Sequence, residues 1–397
     1  MGRKFRYQLV VGILAALVVS ACGGTSNAPG SKTPYQLAWI GDLTGATATT
    51  GLGLYNGFKT YIDFTNSQGG VNGHKINYTT YDNRSDPSVG RVGLENAVAE
   101  SALGIFGGTT SLVWTPLAPR AAQTQILQMT LGSSDSLVDP PQPYIYNSTM
   151  SQSDVVACQI QLIQDMIKKG QLPAQPTVSI IRYVSPSTVA LATAAKTAFA
   201  KLGWKLGVDV TFLLGSVDVS AQASQIVQSK PDVLLTALFD PHVPLVVHTL
   251  RDKGYSKTIV NFSGGGNETT FEATNDPTYF SLRPFVLGND PAPGAVTMQQ
   301  RAKATNNTPG LQTIYFGSGY IQGWLAVEAL KKCGDSCDSV KFNTSMENVG
   351  KIDTQGISGD VQLSSTRHRV VRAGVFFKWD ASKSRAVIDG NWITVGT

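Results

Sequence analysis

The sequence predicts an α/β protein built as two doubly wound, Rossmann-like lobes joined by three crossovers. Three observations carry this. Short apolar runs alternate with amphipathic helical stripes along most of the chain, the rhythm breaks once and restarts, and 397 residues with 42% hydrophobic content can bury more than one core.

The N-terminal residues stand outside that rhythm. Arg3, Lys4 and Arg6 precede an apolar run over residues 9–19, and the small residues Ser20 and Ala21 precede Cys22, the pattern of an export signal over 1–21. The uncharged stretch over 7–21 is shorter than the roughly 20 apolar residues that span a bilayer, and no later stretch approaches that length. Val19-Ser20-Ala21-Cys22 resembles a bacterial lipobox, which implies that the Cys22 thiol receives diacylglycerol and becomes the new N-terminus; the alternative is a cleaved signal with a chance cysteine. Stable anchoring needs more than one acyl chain, and this modification supplies it. Gly, Ser, Pro and Asn dominate the stretch after Cys22, so residues 22–34 read as the lipidated cysteine and a flexible tether. The expected location is the cell envelope, on the outer face of the cytoplasmic membrane or in the periplasm.

Residues 36–40 form a short apolar strand, followed by a Gly/Thr-rich loop over 41–53. Leu54, Phe58, Tyr61, Ile62 and Thr65 recur at helical spacing, Gly69-Gly70 stops the pattern, and residues 75–81 alternate as a strand. A helix over 89–100, a strand over 103–106, a helix after Ser111 and a strand over 126–131 continue the alternation, which implies a parallel sheet. The Pro/Asp-rich break lies at 138–143. Beyond it, strands are expected at 178–183, 205–212 and 233–237, the last apolar enough to be buried on both faces. Leu191, Ala195, Ala198, Phe199 and Leu202 mark a helix between the first two. A helical stripe over 315–332 and a late strand over 374–379 complete the reading. The expected lobes are 35–148 with 284–371, and 149–283 with 372–397.

The formal charge of +5 includes Arg3, Lys4 and Arg6; without them 29 basic residues face 27 acidic ones. Lys and Arg are scattered, with no basic stripe interleaved with aromatics, so a nucleic-acid partner is not expected. Cys333 and Cys337, in Lys-Cys-Gly-Asp-Ser-Cys, permit a short-loop disulfide in an oxidising compartment. His74, His242, His248 and His368 are widely separated and none lies near that pair, so no metal site is expected. Cys158 reads as a buried thiol.

Ile40-Gly41-Asp42-Leu43-Thr44-Gly45, then Gly51, Asn56-Gly57, Asn66, Gly69-Gly70-Val71-Asn72-Gly73-His74-Lys75 and Tyr81-Asp82, run in a distinctive order and spacing. In this the chain resembles the type I periplasmic binding proteins of branched-chain amino-acid uptake systems. The resemblance extends through most of the mature chain and implies that family's fold, a ligand held between the lobes, delivery to the membrane permease of an ABC transporter, and no cofactor. Gly45 and Gly51 let a loop bend close to a ligand, whereas Gly69, Gly70 and Gly73 belong to a tight return at the opposite sheet end.

The family's cleft residues on the first lobe match Gly107-Gly108-Thr109-Thr110-Ser111 and Gly132-Ser133-Ser134. Backbone N–H groups at a helix start, assisted by a hydroxyl, bind a carboxylate. Ser111 and Ser134 are the leading candidates, each with helix capping as the alternative. Thr50 lines the first loop, and Trp114 serves either as an aromatic cleft wall or as a core residue. In amino-acid-binding relatives the second lobe supplies two aromatics and a glutamate that pairs with the ligand ammonium. The matching positions here are Ser187, Leu238 or Phe239, and Ser263. Asp240 either replaces the lost charge or caps its own loop.

An unpaired ammonium in a closed cleft is costly. The expected ligand is therefore a small polar solute (amino acid, amide or small carboxylate), with the missing glutamate counting against a simple aliphatic amino acid. No Gly-x-Ser-x-Gly elbow, His-Glu-x-x-His or phosphate loop occurs, and Gly264-Gly265-Gly266 lacks the lysine of a phosphate cradle, so no enzyme is expected. A ligand-sensing receptor module that signals to a membrane partner uses the same fold and is the alternative. Closure by hinge bending near residues 148–150, 282–285 and Arg372 is expected to bury the ligand.

Overall fold

Alternation becomes layered structure in the computed structural model, which describes residues 32–396; the export signal and Cys22 lie outside the described residues. The first unit runs β1 (Lys32–Gly41), α1 (Ala48–Ser67), β2 (His74–Asp82), α2 (Pro87–Ala99), β3 (Gly104–Gly107), α3 (Ser111–Thr124), β4 (Leu127–Thr130) and β5 (Ile145–Asn147). Its strands pair in the order β2-β1-β3-β4-β5, all parallel.

The second unit runs α4 (Gln152–Lys168), β6 (Thr177–Tyr183), α5 (Pro186–Leu202), β7 (Lys205–Phe212), α6 (Ser220–Ser229), β8 (Val233–Ala237), α7 (His242–Asp252), β9 (Thr258–Asn261), α8 (Glu268–Thr274) and β10 (Tyr279–Arg283). The chain then returns to the first unit as α9 (Pro293–Ala304), α10 (Ile314–Cys333) and α11 (Ser339–Glu347), followed by the two-stranded sheet of β11 (Gly350–Ile352) and β12 (Val361–Leu363). It ends in β13 (Ala373–Asp380) and β14 (Arg385–Thr394), which extend the second sheet to the order β14-β13-β10-β9-β8-β6-β7. The result is a two-lobed α/β fold with parallel-dominant sheets.

Local chemistry explains the helix starts. Asp86 accepts the N–H groups of Ser88 and Val89 ahead of Pro87, and Ser151 and Ser185 cap α4 and α5 in the same way. The apolar run over 233–237 is β8, buried at every residue between β6 and β9. The sequence indicated one late strand where there are two. The added β14 is an edge strand with exposed polar residues, paired antiparallel to β13 across a tight turn in which Asp380 accepts the Ser382 N–H and hydroxyl.

The returning segment docks through glycines. A Cβ on Gly57 would lie 2.1 Å from the Phe316 carbonyl oxygen, and one on Gly319 would lie 1.9 Å from that of Leu54, so α1 and α10 touch backbone to backbone. Crossovers also bind one another: the Asn147 N–H donates to the His368 carbonyl at 2.9 Å, and Val370 N–H to the Asn147 carbonyl at 2.9 Å. Cys333 and Cys337 form a disulfide just after α10, and Cys158 is a buried thiol, pushed up to about 12 mainly by burial. Among the described residues no helix is long and apolar enough to cross a membrane.

Candidate functional site

The parallel strands β3 and β4 of the first sheet and β6, β8 and β9 of the second end at a common cavity, whose space is about 470 Å³ including open solvent at its mouth. That position, outside the carboxyl ends of parallel strands, is where open α/β sheets hold ligands.

On the first lobe, β3 ends at Gly107 and is followed by Gly108, both at positive φ, with no room for a side chain: a Cβ on Gly107 would sit 2.4 Å from the Ile40 carbonyl oxygen. This bend brings Thr109, Thr110 and Ser111 to the cavity wall, where α3 begins. Thr110 caps the helix by accepting the Leu112 N–H at 3.2 Å. The Thr109 hydroxyl is buried on the cavity wall and has no partner. After β4, Leu131 and Ser133 line the same wall; the Thr130 hydroxyl locks the two loops together by donating to the Gly108 carbonyl and accepting the Gly132 N–H.

On the second lobe, Tyr183 closes β6 and Ser187 opens α5, its hydroxyl 2.9 Å from that of the capping Ser185. Phe239 follows β8, and Phe262, Ser263 and Gly264 follow β9. Tyr183, Phe239 and Phe262 form one aromatic wall with ring centroids 5.0 to 6.3 Å apart. The crossovers contribute Thr149, Pro284 and Phe285, and the first two turns of α10 contribute Ile314, Tyr315 and Ser318.

Of the residues singled out from sequence, Ser111, Ser133, Ser187, Phe239 and Ser263 meet at this cavity. Thr50, Gly132, Ser134, Trp114 and Asp240 are not on its wall. Trp114 is buried in a separate cluster with Ile40, Leu94 and Val113, on the sheet-facing side of α3. Ser134 precedes a three-residue 3-10 turn and pairs its hydroxyl with Ser136. Gly132 is packed against Ser111 and Thr130. Thr50 is buried in the first turn of α1 and is not on the wall.

Asp240 is fully engaged behind the wall. Its carboxylate accepts from Thr270 Oγ1 at 2.6 Å, Asn267 Nδ2 at 2.9 Å and Asn267 N–H at 3.3 Å, and Tyr315 Oη lies 3.3 Å away. Burial outweighs these bonds and pushes the carboxyl up to about 6. Tyr315, from the first lobe, also donates to the Gly264 carbonyl at 2.6 Å, while Asn267 Oδ1 accepts the Ile314 N–H at 3.1 Å. These bonds tie α10 directly to the second lobe. Sequence reasoning missed Tyr183, Phe262 and Tyr315 among other wall residues, and named Thr149 and Phe285 only as hinge positions; the available signal was that each lies at or beside a strand end, crossover or helix start.

Fold and cavity together define a two-lobed binding protein. The periplasmic binding protein family model matches residues 34–385, and the chain belongs to that family, which is non-enzymatic and whose members are extracytoplasmic. The Leu/Ile/Val-binding protein BraC3 of Rhizobium johnstonii is 24% identical over 383 residues, covering 93% of this chain and 98% of that protein. Among solved structures, a branched chain amino acid ABC transporter from Thermus thermophilus with bound valine has a TM-score of 0.82 at 16% identity, covering 92% of this chain and 97% of that one. A fatty acid ABC transporter substrate-binding protein from Thermomonospora curvata has a TM-score of 0.79 at 16% identity, covering 91% and 93%.

Proposed function

We propose that this protein is the extracytoplasmic substrate-binding lipoprotein of an ABC-type uptake system, anchored through Cys22. It captures a small polar solute between lobes formed by 35–148 with 284–371 and by 149–283 with 372–397, closes by hinge bending, and presents the closed form to a membrane permease. The observation that carries this reading is the cavity itself, walled by strand ends of both sheets and by the crossovers between them. The similarity to proteins named for Leu/Ile/Val, valine and fatty acid supports a solute with an apolar body.

Binding is tested by a thermal-shift screen of the mature chain against amino acids, amides and small carboxylates. A ligand present at about 100 times its dissociation constant adds about 2.7 kcal/mol of stability. Ser111→Ala is expected to reduce the shift of the active class while Ser134→Ala leaves it intact, because only Ser111 lies on the wall. No shift with any class would sink the proposal.

A further inference from the structure

Resting on the reading of the cavity as the ligand site, we propose that its ligand is a monocarboxylate lacking an ammonium group, with an aryl or branched alkyl body. Among the described residues no acidic or basic side chain is on the cavity wall. Asp240, whose carboxylate meets the hydroxyl of the wall residue Tyr315, is not itself on the wall and is already held by Thr270, Asn267 and Tyr315. An ammonium ion in this space would lose its water and find no anion.

The fixed dipoles have the opposite preference. Two helices of opposite lobes, α3 and α5, both begin at the cavity, with Ser111 and Ser187 on its wall, so both present their positive ends to it. Beside the start of α3, the Thr109 hydroxyl is buried, only 3% exposed, and unpartnered, a donor without a protein acceptor. Together these suit one negative charge. A dianion would call for a cationic side chain, and the wall has none. The remaining wall is apolar: the rings of Tyr183, Phe239 and Phe262 face a space also bounded by Leu131, Phe285 and Ile314.

Two matched pairs isolate the ammonium group: 4-methylpentanoate against L-leucine, and 3-phenylpropanoate against L-phenylalanine. Each is titrated calorimetrically into the full mature chain, with 4-methylpentanamide as the neutral comparison. At least one acid is expected to bind more than tenfold tighter than its amino acid. An amino acid or the amide binding as tightly as the acid would overturn this proposal and leave the uptake reading standing; no heat from any of the five would overturn both. Ser263→Glu, which places a carboxylate on the wall, is expected to reverse the preference within the better pair, with melting temperature reporting that the variant folds. A folded variant that still prefers the acid would overturn the assignment.

Discussion

Tyr315 offers the sharpest test of how the cleft is held shut. Its hydroxyl sits on α10, packed backbone to backbone on α1 of the first lobe, yet both of its partners, the Gly264 carbonyl at 2.6 Å and Asp240 Oδ2 at 3.3 Å, belong to the second lobe. Burial and the neighbouring Asp240 raise its pKa well above the usual tyrosine value, so the hydroxyl stays a proton donor at working pH. Tyr315→Phe removes one oxygen and keeps the ring. A neutral hydrogen bond contributes about 0.5–1.5 kcal/mol net, and leaving a buried carbonyl unsatisfied moves the loss toward about 1–2 kcal/mol. These bonds exist only while the lobes are together, so the loss falls on the closed form alone. At about 1.4 kcal/mol per tenfold, ligand affinity should weaken by roughly 5- to 30-fold. Calorimetric titration of wild type and variant with 4-methylpentanoate reads the difference. An affinity within twofold of wild type would refute the role of this hydroxyl as an inter-lobe latch.

Two further outcomes follow from packing and titration. Gly319→Ala forces α10 back from the Leu54 carbonyl, since the new Cβ would lie 1.9 Å from its oxygen; urea unfolding should show a loss of about 1–3 kcal/mol despite a helix-propensity gain of about 1 kcal/mol, and an unchanged midpoint would contradict the close helix contact. For Asp240, the folded carboxyl titrates at about 6 against 3.8 for the free group, so the native state holds the proton more tightly than the unfolded chain. That contribution is full below the unfolded value and is lost as pH rises through about 6. The stability difference between wild type and Asp240→Asn should therefore fall by about 3 kcal/mol from pH 3 to pH 7, and a flat difference would show that burial does not dominate this group.

The alternation of elements was legible because each strand and helix carries its own period, and the buried run of β8 declares itself within a few residues; the helix α4 and the serine caps of α4 and α5 were not read from the sequence. The segment that bends at Gly107 and Gly108 was singled out through the family resemblance, and both glycines adopt positive φ. Trp114 was ambiguous because helical spacing from Ser111 says nothing of which face meets the sheet; the structure puts that face against Ile40 and Leu94. Tyr315 was read as the start of a helical stripe, which it is. Its contact with Gly264 joins positions 51 residues apart in sequence, across two lobes, and no local pattern encodes that.

The same limit bears on how the site is positioned. Gln322 of α10 accepts the Gly107 N–H at 2.8 Å and donates to the Gly107 carbonyl at 3.1 Å and to Ser148 Oγ at 2.8 Å. One buried amide thus fixes the strand end that leads to Thr109 and Ser111 and also the first crossover between the lobes. The returning segment therefore does more than fill the first lobe. It sets the cavity's hydroxyl-bearing wall through Gln322 and reaches the opposite wall through Tyr315, so the two faces of the cavity are referred to a single helix. One residue off the wall and one on it thus control the cavity's shape: losing the Gln322 amide would free the Gly107 bend, whereas losing the Tyr315 hydroxyl would free the lobes while leaving that bend in place.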